Sequence, residues 1–303
     1  MALEDLANKD PFLLDKNIVI ALSGGIDSVV LLHFLNSHYP GNIRAIHINH
    51  NLSEHSEDWS LFCKELCQKQ DIAYKSIDIN VTNSSNIEEN ARKKRYLSLK
   101  SELSKNEILC TAHHQEDQSE TFLLQLFRGS GVAGLASMPK MKSFADSFLY
   151  RPFLNISKQL IIDYASKYSL DWVEDDSNNN INFKRNLLRL ELIPQLESGF
   201  DGLIKNISRS AYHQSEALKL MHDLAEIDIE KFNLILNQRI QVLPLCQLPH
   251  RRIANILRYY IAQRDFLMPS NKVLTELISV LTAKNDAKVI LKWHLYQVRR
   301  YNN

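Results

Sequence analysis

Short apolar runs alternate with longer amphipathic runs along the first half of the chain. Residues 18–22 form a β-branched run that is typical of a buried strand, and residues 28–35 have the spacing of a helix packed on a sheet. The same order recurs, with strands predicted at 43–49, 72–79 and 107–112 and helices predicted at 54–70, 86–104 and 115–127. This alternation predicts an α/β domain whose parallel sheet is covered by helices on both faces.

The pattern changes near residue 200, where Phe200-Asp201-Gly202 has the composition of a hinge. Beyond it, helical spacing dominates over 203–236, 247–263 and 270–282, and two short strands are predicted at 289–291 and 295–298. We therefore predict an α/β domain over residues 1–200, followed by a smaller, mainly helical domain over residues 201–303.

Charge differs between the two predicted domains. Residues 1–200 carry 21 basic and 26 acidic side chains, a net charge of −5, whereas residues 201–303 carry 15 and 9, a net charge of +6. A basic second domain favours contact with a polyanion such as a nucleic acid.

Composition argues against several other classes of protein. The chain has no run of about 18 apolar residues that would span a membrane, and its N-terminus lacks the basic and apolar segments of a signal peptide. Its four cysteines form no Cys-x-x-Cys pair, so they suit free thiols in a reducing compartment and indicate neither a zinc site nor a redox pair. We expect a cytoplasmic protein without a membrane partner.

The turn after the first strand carries the most informative chemistry: Ser23-Gly24-Gly25-Ile26-Asp27-Ser28. Its two glycines let the backbone approach a ligand closely, and the next helix presents the free N–H groups of its N-terminus to an anion. This phosphate-binding turn lacks the lysine of the common nucleotide-binding loop and contains an aspartate instead. It resembles the pyrophosphate loop of ATP pyrophosphatases, which cleave ATP between the α- and β-phosphates. The alternative is an ordinary strand–turn–helix.

Two further polar segments, at 47–52 and 112–117, follow predicted strands. Because parallel strands end at the same edge of a sheet, we expect both segments to meet the glycine turn there. Asp117 and Glu120 are three residues apart and share one face of the helix that begins there. They favour a site for Mg²⁺ or a cationic substrate, with ordinary acids at a helix start as the alternative.

Two pairs of arginines also have helical spacing. Arg92 and Arg95 lie on one predicted helix, and Arg185 and Arg189 follow a polar, turn-rich segment at 174–182 that we predict to be a loop. Such pairs suit phosphate or carboxylate groups, and a solvent-exposed basic helix face is the alternative.

Together these segments resemble the tRNA(Ile)-lysidine synthetases, and the resemblance covers nearly the whole chain. The motifs that carry it are, in order, Ser23-Gly24-Gly25-Ile26-Asp27-Ser28, His47-Ile48-Asn49-His50, Glu89-Asn90-Ala91-Arg92 with Arg95-Tyr96, His113-His114 with Asp117 and Glu120-Thr121, Arg128-Gly129-Ser130-Gly131 with Gly134-Leu135, Arg151-Pro152, Glu174-Asp175 with Ser177-Asn178, and Arg185-Asn186 with Arg189.

The resemblance implies an adenine nucleotide α hydrolase-like fold and a bacterial enzyme that acts on tRNA. ATP, with Mg²⁺, would adenylate O2 of the wobble cytidine in isoleucine tRNA with a CAU anticodon. Free L-lysine would then attack C2 and expel AMP, which forms lysidine and changes the identity of the tRNA from methionine to isoleucine. The oligomeric state stays open, with a homodimer as one alternative.

The same resemblance implies roles for individual residues. ATP contacts are expected from Ser23, Gly24, Gly25, Ile26, Asp27, Ser28, His47, Asn49, His113, Arg128 and Gly129. Asp117 and Glu120 are expected to hold lysine, and Asp27 or Asp117 to bind Mg²⁺. Contacts to tRNA are expected from Arg92, Arg95, Arg185, Arg251 and Arg252, and the catalytic set is expected to be Asp27, Asp117, Glu120, Arg185 and Arg189.

The chain also departs from the family pattern. Asn51-Leu52-Ser53 stands where the family usually has Gly-Leu-Arg, and Ala112 replaces a usual glycine. The further C-terminal domain of longer members is expected to be absent. Three alternatives stay open: a pyrophosphate-loop thiolase acting on cytidine or uridine in tRNA, a ligase acting on small molecules such as a relative of NAD synthetase, and an RNA-binding protein without catalytic activity.

Overall fold

The computed structural model describes residue 3 and residues 11–51, 55–80, 87–175, 179–264, 266–281 and 290–299, with the backbone alone at 11 and 87–89. The chain divides into two compact units, Met1–His213 and Gln214–Asn303. The predicted domain boundary after residue 200 lies earlier in the chain and stays a prediction.

The first unit is built on a six-stranded sheet. Its elements, in chain order, are β1 (Asn17–Ala21), α1 (Ile26–His38), β2 (Ile43–Asn49), α2 (Ser56–Lys69), β3 (Ala73–Asp78), α3 (Ile87–Glu102), β4 (Glu107–Cys110), α4 (Gln115–Phe127), α5 (Val132–Leu135), β5 (Met141–Phe144), β6 (Ser147–Tyr150), α6 (Lys158–Lys167), α7 (Lys184–Leu187) and α8 (Ile193–Glu197).

Strand order in this sheet is β3-β2-β1-β4-β6-β5. The first four strands of the chain and β6 run parallel, and β5 pairs antiparallel with β6 at the edge. Val19 at the centre of β1 pairs with Arg44 on one side and with Leu109 on the other. The predicted parallel α/β sheet is thus confirmed, whereas the β5–β6 hairpin was not predicted.

Both faces of β1 are buried, which explains its continuous apolar sequence. Ile18 and Ile20 point into a core that also contains residues of α1, α2 and α6. Val19, between them, points to the opposite core, where it joins Leu99 of α3. This alternation places helices on both sides of the sheet, as a period of two residues requires.

The second unit is smaller and mainly helical. Its elements are the long α9 (Leu203–Lys231), through which the division between the units passes, β7 (Ile235–Leu236), β8 (Arg239–Ile240), α10 (Val242–Leu245), α11 (His250–Ala262), α12 (Asn271–Leu281), β9 (Ile290–Trp293) and β10 (Tyr296–Arg299). Its core includes Leu245, Ile256, Leu277 and Trp293. Residues 282 and 289, at the ends of a predicted helix and a predicted strand, lie outside the described residues.

Some predicted boundaries change in the structure. The predicted helix at 115–127 is α4, with the same ends. The segment over 184–197, which the sequence predicts to be helical up to about Pro194, is instead divided into α7, a widened π turn at Leu188–Leu192 and α8, which continues to Glu197. Asp176, Ser177 and Asn178, within the predicted loop, lie outside the described residues, as do Leu52 and Ser53. Among the helices that the structure describes, none combines the length and the apolar character that crossing a bilayer requires.

Gly24 is the residue of the glycine turn that no other amino acid replaces without strain. Its φ angle is +89°, and a Cβ atom there would lie 2.8 Å from Val173 Cγ2 and 3.1 Å from Cys63 Sγ. The carbonyl of Gly24 also accepts a hydrogen bond from the N–H of Val173 at 3.0 Å. The turn is therefore packed directly under the segment that follows α6.

Gly24→Ala should destabilise the protein more than Gly41→Ala. Gly41 has a similar φ of +84° but no heavy atom within 4 Å of its hypothetical Cβ. Both substitutions carry a backbone strain of about 1–2 kcal/mol, and only Gly24→Ala adds a steric overlap worth about 1–3 kcal/mol. Urea unfolding of the two variants measures the difference, and equal losses would contradict the packing described for Gly24.

Candidate active site

The glycine turn is organised by the hydroxyl of Ser28. Its Oγ accepts hydrogen bonds from the N–H groups of Ser23 and Gly24 at 3.1 and 3.2 Å, and it donates to the carbonyl of Gly25 at 2.9 Å. Gly25 is the N-cap of α1, and no described side chain caps the helix there. The first N–H groups of α1 therefore have no side-chain cap at Gly25, and the anion site expected there stays a prediction.

A cleft of about 680 Å³ opens beside this turn. Predicted site residues from four parts of the chain line it: Ser23 after β1, His47 and Asn49 on β2, Arg92 and Arg95 on α3, and Arg185 and Arg189 after the 174–182 segment. His47 is buried, and its Nδ1 donates a hydrogen bond to the carbonyl of Leu22 at 2.9 Å. That bond connects the end of β2 to the start of the turn.

His114, at the N-cap of α4, lies among three carboxylates. Its Nδ1 is 3.0 Å from Glu116 Oε2, and its Nε2 is 3.6 Å from Asp27 Oδ2 and 3.4 Å from Asp117 Oδ2. The side chain is only 5% exposed. We call Asp27, His114, Glu116, Asp117 and Lys158 the His114 cluster; Lys158 completes it through an ion pair with Asp27, described below.

The carboxylates fix the charge on His114. Burial opposes a charged imidazole, but the contacts with Asp27 and Glu116 and the charge of Asp117 outweigh it and raise the pKa of His114 to about 10. Burial would also raise the pKa of Asp117, yet the charges of His114 and Arg185 lower it to about 2. At neutral pH the cluster therefore contains an imidazolium and ionised carboxylates.

The His114 cluster joins three elements of the fold. Asp27 is in the first turn of α1, and Glu116 and Asp117 are in the first turn of α4. Glu116 also accepts the backbone N–H of Lys158, the first residue of α6, at 3.0 and 2.9 Å. The Nζ of Lys158 in turn donates to Asp27 Oδ1 at 2.5 Å. These contacts hold the N-termini of the three helices together.

Glu120 lies one turn further along α4 and is enclosed by two arginines. Its side chain is 1% exposed, with Arg185 Nε 2.8 Å from its Oε2 and Arg189 Nε donating to its Oε1 at 2.6 Å. Arg189 also reaches Asp117 Oδ1 at 3.3 Å. Arg189 lies in the π turn, an irregularity that is often found at functional sites.

A second basic group lies around Tyr96. The guanidinium groups of Arg92 and Arg95 lie 5.3 and 5.4 Å from the centre of its ring. His113 donates to or accepts from Thr111 Oγ1 at 2.9 Å. Burial, together with the nearby charges of Arg151, Arg95 and Arg92, lowers the pKa of His113 to about 3, so it is neutral where His114 is charged.

Two of the predicted ATP contacts lie at the end of α4 that is far from His114. Arg128 and Gly129 follow the end of α4, and a helix of 13 residues puts them roughly 20 Å from its His114 end. In the second unit, Arg251 is exposed at the start of α11, whereas Arg252 Nε donates to the buried Asp228 at 2.7 Å. The predicted ATP and tRNA contacts of these residues stay predictions.

Several residues of the site were missed by the sequence reasoning. The sequence assigns no individual role to Arg151, Glu116 or Lys158, and it leaves His114, with His113, either to face triphosphate or to orient the carboxylates. Trp59 and Phe183 add two aromatic side chains to the cleft lining. The sequence did contain a signal for Phe183: it is an aromatic residue that stands two positions before Arg185-Asn186. Among the described residues, no group of three or more His, Cys, Asp or Glu has the arrangement of a metal centre.

His114→Asn should change the pH dependence of stability. The folded pKa of about 10 exceeds the ordinary value of 6.5, so the imidazolium stabilises the fold fully below about pH 6.5 and loses that effect as pH rises through 10. The difference in urea midpoint between wild type and His114→Asn should therefore shrink between pH 7 and pH 10. His213→Asn, at an exposed histidine, is the control, and a pH-independent difference for His114→Asn would contradict the assignment.

Comparison with known proteins agrees with this architecture. The profile of the PP-loop domain family matches residues 2–196, and that of the TilS substrate binding domain matches residues 241–303. Among solved structures, the U34-tRNA thiolase NcsA from Methanococcus maripaludis has a TM-score of 0.58 at 18% identity, covering 70% of this chain and 77% of that one. This likeness confirms the predicted adenine nucleotide α hydrolase-like fold and, at that identity, nothing more.

Curated relatives are similar over nearly the whole chain. The tRNA(Ile)-lysidine synthase of Coxiella burnetii (strain RSA 493 / Nine Mile phase I) is 40% identical over 294 residues, which cover 95% of this chain and 65% of the relative. That of Legionella pneumophila (strain Lens) is 38% identical over 289 residues, covering 94% and 67%. The chain spans about two thirds of the length of these relatives. It belongs to the tRNA(Ile)-lysidine synthase family of PP-loop proteins.

Proposed function

We propose that this chain converts the wobble cytidine of isoleucine tRNA with a CAU anticodon to lysidine. ATP is the substrate that the PP-loop family implies. O2 of the cytidine attacks the α-phosphorus, the bond to the β-phosphate breaks, and pyrophosphate leaves. The ε-amine of free L-lysine then forms a bond to C2 as the C2–O2 bond breaks, and AMP leaves with O2. The observation that carries the proposal is that the glycine turn and the paired carboxylates are joined through His114, which contacts both Asp27 and Asp117. Ser23 of the turn and the arginines that hold Glu120, Arg185 and Arg189, line one cleft.

The glycine turn supports the first step. The N-terminus of α1 favours a phosphate, and Ser28, whose Oγ accepts the N–H groups of Ser23 and Gly24, holds the turn in shape before any ligand binds. Cytosine O2 is a poor leaving group, and conversion to an AMP ester makes it a good one. In this step negative charge develops on the departing pyrophosphate, and the site must stabilise that charge.

Mg²⁺ fits the donors that surround the turn. Asp27 and Asp117 supply hard carboxylate oxygens that approach the same ring nitrogen of His114, and Mg²⁺ is usually held by one or two carboxylates with phosphates and water. When bound, the ion would neutralise charge on the phosphates. We propose Asp27 and Asp117 as the residues that hold it.

Lysine recognition is proposed for Asp117, Glu120, Arg185 and Arg189. Free lysine carries two ammonium groups and one carboxylate, and this set offers two carboxylates and two guanidinium groups. The lysine carboxylate would compete with Glu120 for an arginine, which frees carboxylate oxygen for an ammonium. The low pKa of Asp117 suits it to hold an ammonium group rather than to accept its proton.

Binding of tRNA is proposed for both units. In the first, Arg92 and Arg95 line the cleft together with Trp59 and Phe183, so a flipped base would meet aromatic surfaces beside cationic ones. In the second, the exposed Arg251 is available for phosphate, whereas Arg252 is held by Asp228. The net charge of +6 over residues 201–303 supports a polyanionic partner.

The alternative of sulfur transfer is disfavoured by the cysteines. Cys63, Cys67 and Cys110 are buried, and burial raises the pKa of Cys63 and of Cys67 to about 12. A thiol with such a pKa is protonated at neutral pH and is a poor nucleophile. Cys246, the fourth, lies in the second unit and contacts the carbonyl of Leu281.

Lysidine formation can be measured directly. The protein, ATP, labelled lysine and bulk bacterial tRNA should yield labelled lysidine after nucleoside digestion. Transcripts of isoleucine tRNA with a CAU anticodon should be modified, whereas the same transcripts with UAU should not, because they lack a wobble cytidine. Label that enters UAU transcripts equally, or no label in either, would refute the proposal.

Asp117→Asn and Glu120→Gln test the lysine site. Each removes a charged partner, so Asp117→Asn should raise the KM for lysine at least about tenfold. Glu120→Gln should reduce lysidine formation further, because it also releases Arg185 and Arg189. Glu191→Gln, at an exposed residue of the same π turn, is the matched control and should behave as wild type. Activity of Glu120→Gln near the wild-type level would refute its assignment.

A further inference from the structure

The structure assigns to Lys158 the role of the phosphate-binding cation that the glycine turn lacks: a catalytic lysine that is held on Asp27 in the free protein and contacts the leaving pyrophosphate. This inference rests on the proposed ATP chemistry. The sequence of the turn contains an aspartate and no lysine, so the turn by itself repels part of the charge it must bind.

The ammonium group of Lys158 lies beside the first turn of α1, where the glycine turn ends. It comes from the first turn of α6, 131 positions after Asp27, and its Nζ donates to Asp27 Oδ1 at 2.5 Å. Asp27 itself is the second residue of α1, directly after the N–H groups that favour phosphate. Lys158 is therefore brought by the fold to the end of the same helix that the phosphate would approach.

Exposure and geometry suit Lys158 to bind Asp27 and a phosphate at the same time. Its side chain is 32% exposed and that of Asp27 is 31% exposed, so the ion pair borders on solvent and is not sealed in the core. An ammonium group has three N–H donors on a flexible stem, and Asp27 Oδ1 takes one of them. A pyrophosphate at the N-terminus of α1 would offer acceptors to the other two.

The backbone of Lys158 is held separately from its ammonium group. Its N–H is bound by both oxygens of Glu116, which in turn contacts His114. The start of α6 is thus anchored to the same cluster that holds Asp27. This anchoring keeps the lysine stem aimed at the glycine turn in the absence of ligand, which limits the entropy lost when phosphate binds.

In the reaction, Lys158 would act on the first step. As O2 of cytidine bonds to the α-phosphorus, the bridging oxygen keeps the electron pair of the broken P–O bond, and negative charge grows on pyrophosphate. A cation already at this position stabilises that charge without reorganisation. The proton of Lys158 stays on nitrogen throughout, so no further reactant is needed.

Measurements of pyrophosphate binding distinguish two ways in which Lys158 could act: by contacting phosphate directly, or only by neutralising the charge of Asp27. Isothermal titration with pyrophosphate, in EDTA and without tRNA, is carried out on wild type, Asp27→Asn, Lys158→Met and the double variant. If Lys158 contacts phosphate, Lys158→Met should weaken pyrophosphate binding at least about tenfold both in the wild-type background and in the Asp27→Asn background. AMP binding should change less than twofold.

Two results would overturn the inference. One is an effect of Lys158→Met that disappears in the Asp27→Asn background, since Lys158 would then act only by neutralising Asp27. The other is unchanged or undetectable pyrophosphate binding in wild type and variant alike. Lys167→Met, at an exposed lysine in the last turn of α6, is the control and should bind pyrophosphate as wild type does.

Two further variants distinguish a loss of pyrophosphate affinity from a loss of folding. Lys158→Gln replaces Lys158→Met if the latter does not unfold cooperatively, and Lys158→Arg should restore part of the affinity because it keeps the charge. The wild-type lysidine assay is independent of these titrations. If lysidine forms but pyrophosphate binding does not depend on Lys158, only this inference is refuted. If pyrophosphate binding depends on Lys158 but no lysidine forms, only the proposed function is refuted.

Discussion

The contact between the His114 imidazolium and its three carboxylates is the interaction on which the site depends. Without that charge, Asp27, Glu116 and Asp117 would be left close together with much of their charge uncompensated, and each is partly or wholly buried. Buried charges of one sign are tolerated only when a partner of opposite sign is present. His114 is that partner, and it ties the glycine turn to the starts of α4 and, through Glu116, α6.

A second balanced cluster lies beside the first. Glu120 is almost fully buried and compensated by Arg185 and Arg189, and Arg189 also reaches Asp117 of the His114 cluster. The site therefore holds carboxylates and cations in contact with one another in its free state. A phosphate or a zwitterionic amino acid can enter such a site by exchanging partners, which avoids leaving any group unpaired during binding.

The parts of this picture that were predictable from sequence are the local ones. The apolar run of β1 and the Ser23–Ser28 turn are contiguous, and α4 begins and ends where its helical spacing does. The role of Lys158 was not predictable, because its partner Asp27 is 131 positions away and nothing local marks either as a pair. The β5–β6 hairpin was missed because its strands have only four residues each, too few for a clear period.

The π turn was hidden for a related reason. Residues 184–197 have ordinary helical spacing, and nothing in it marks the wider turn, in which Arg189 contacts Glu120. Likewise, Asp117 and Glu120 were predicted to share a helix face, which they do, but their different partners depend on elements that are distant in sequence. The sequence motif thus located the chemistry, and the fold determined which charges meet.

The ionisation state of His114 is the most direct test of this account. Nitrogen-15 NMR of histidine-labelled protein reports protonation at each ring nitrogen. Both nitrogens of His114 should carry protons at pH 7.5 and the ring should titrate near pH 10, while His113 stays neutral. A neutral His114 that titrates near its ordinary value of 6.5 would contradict this account.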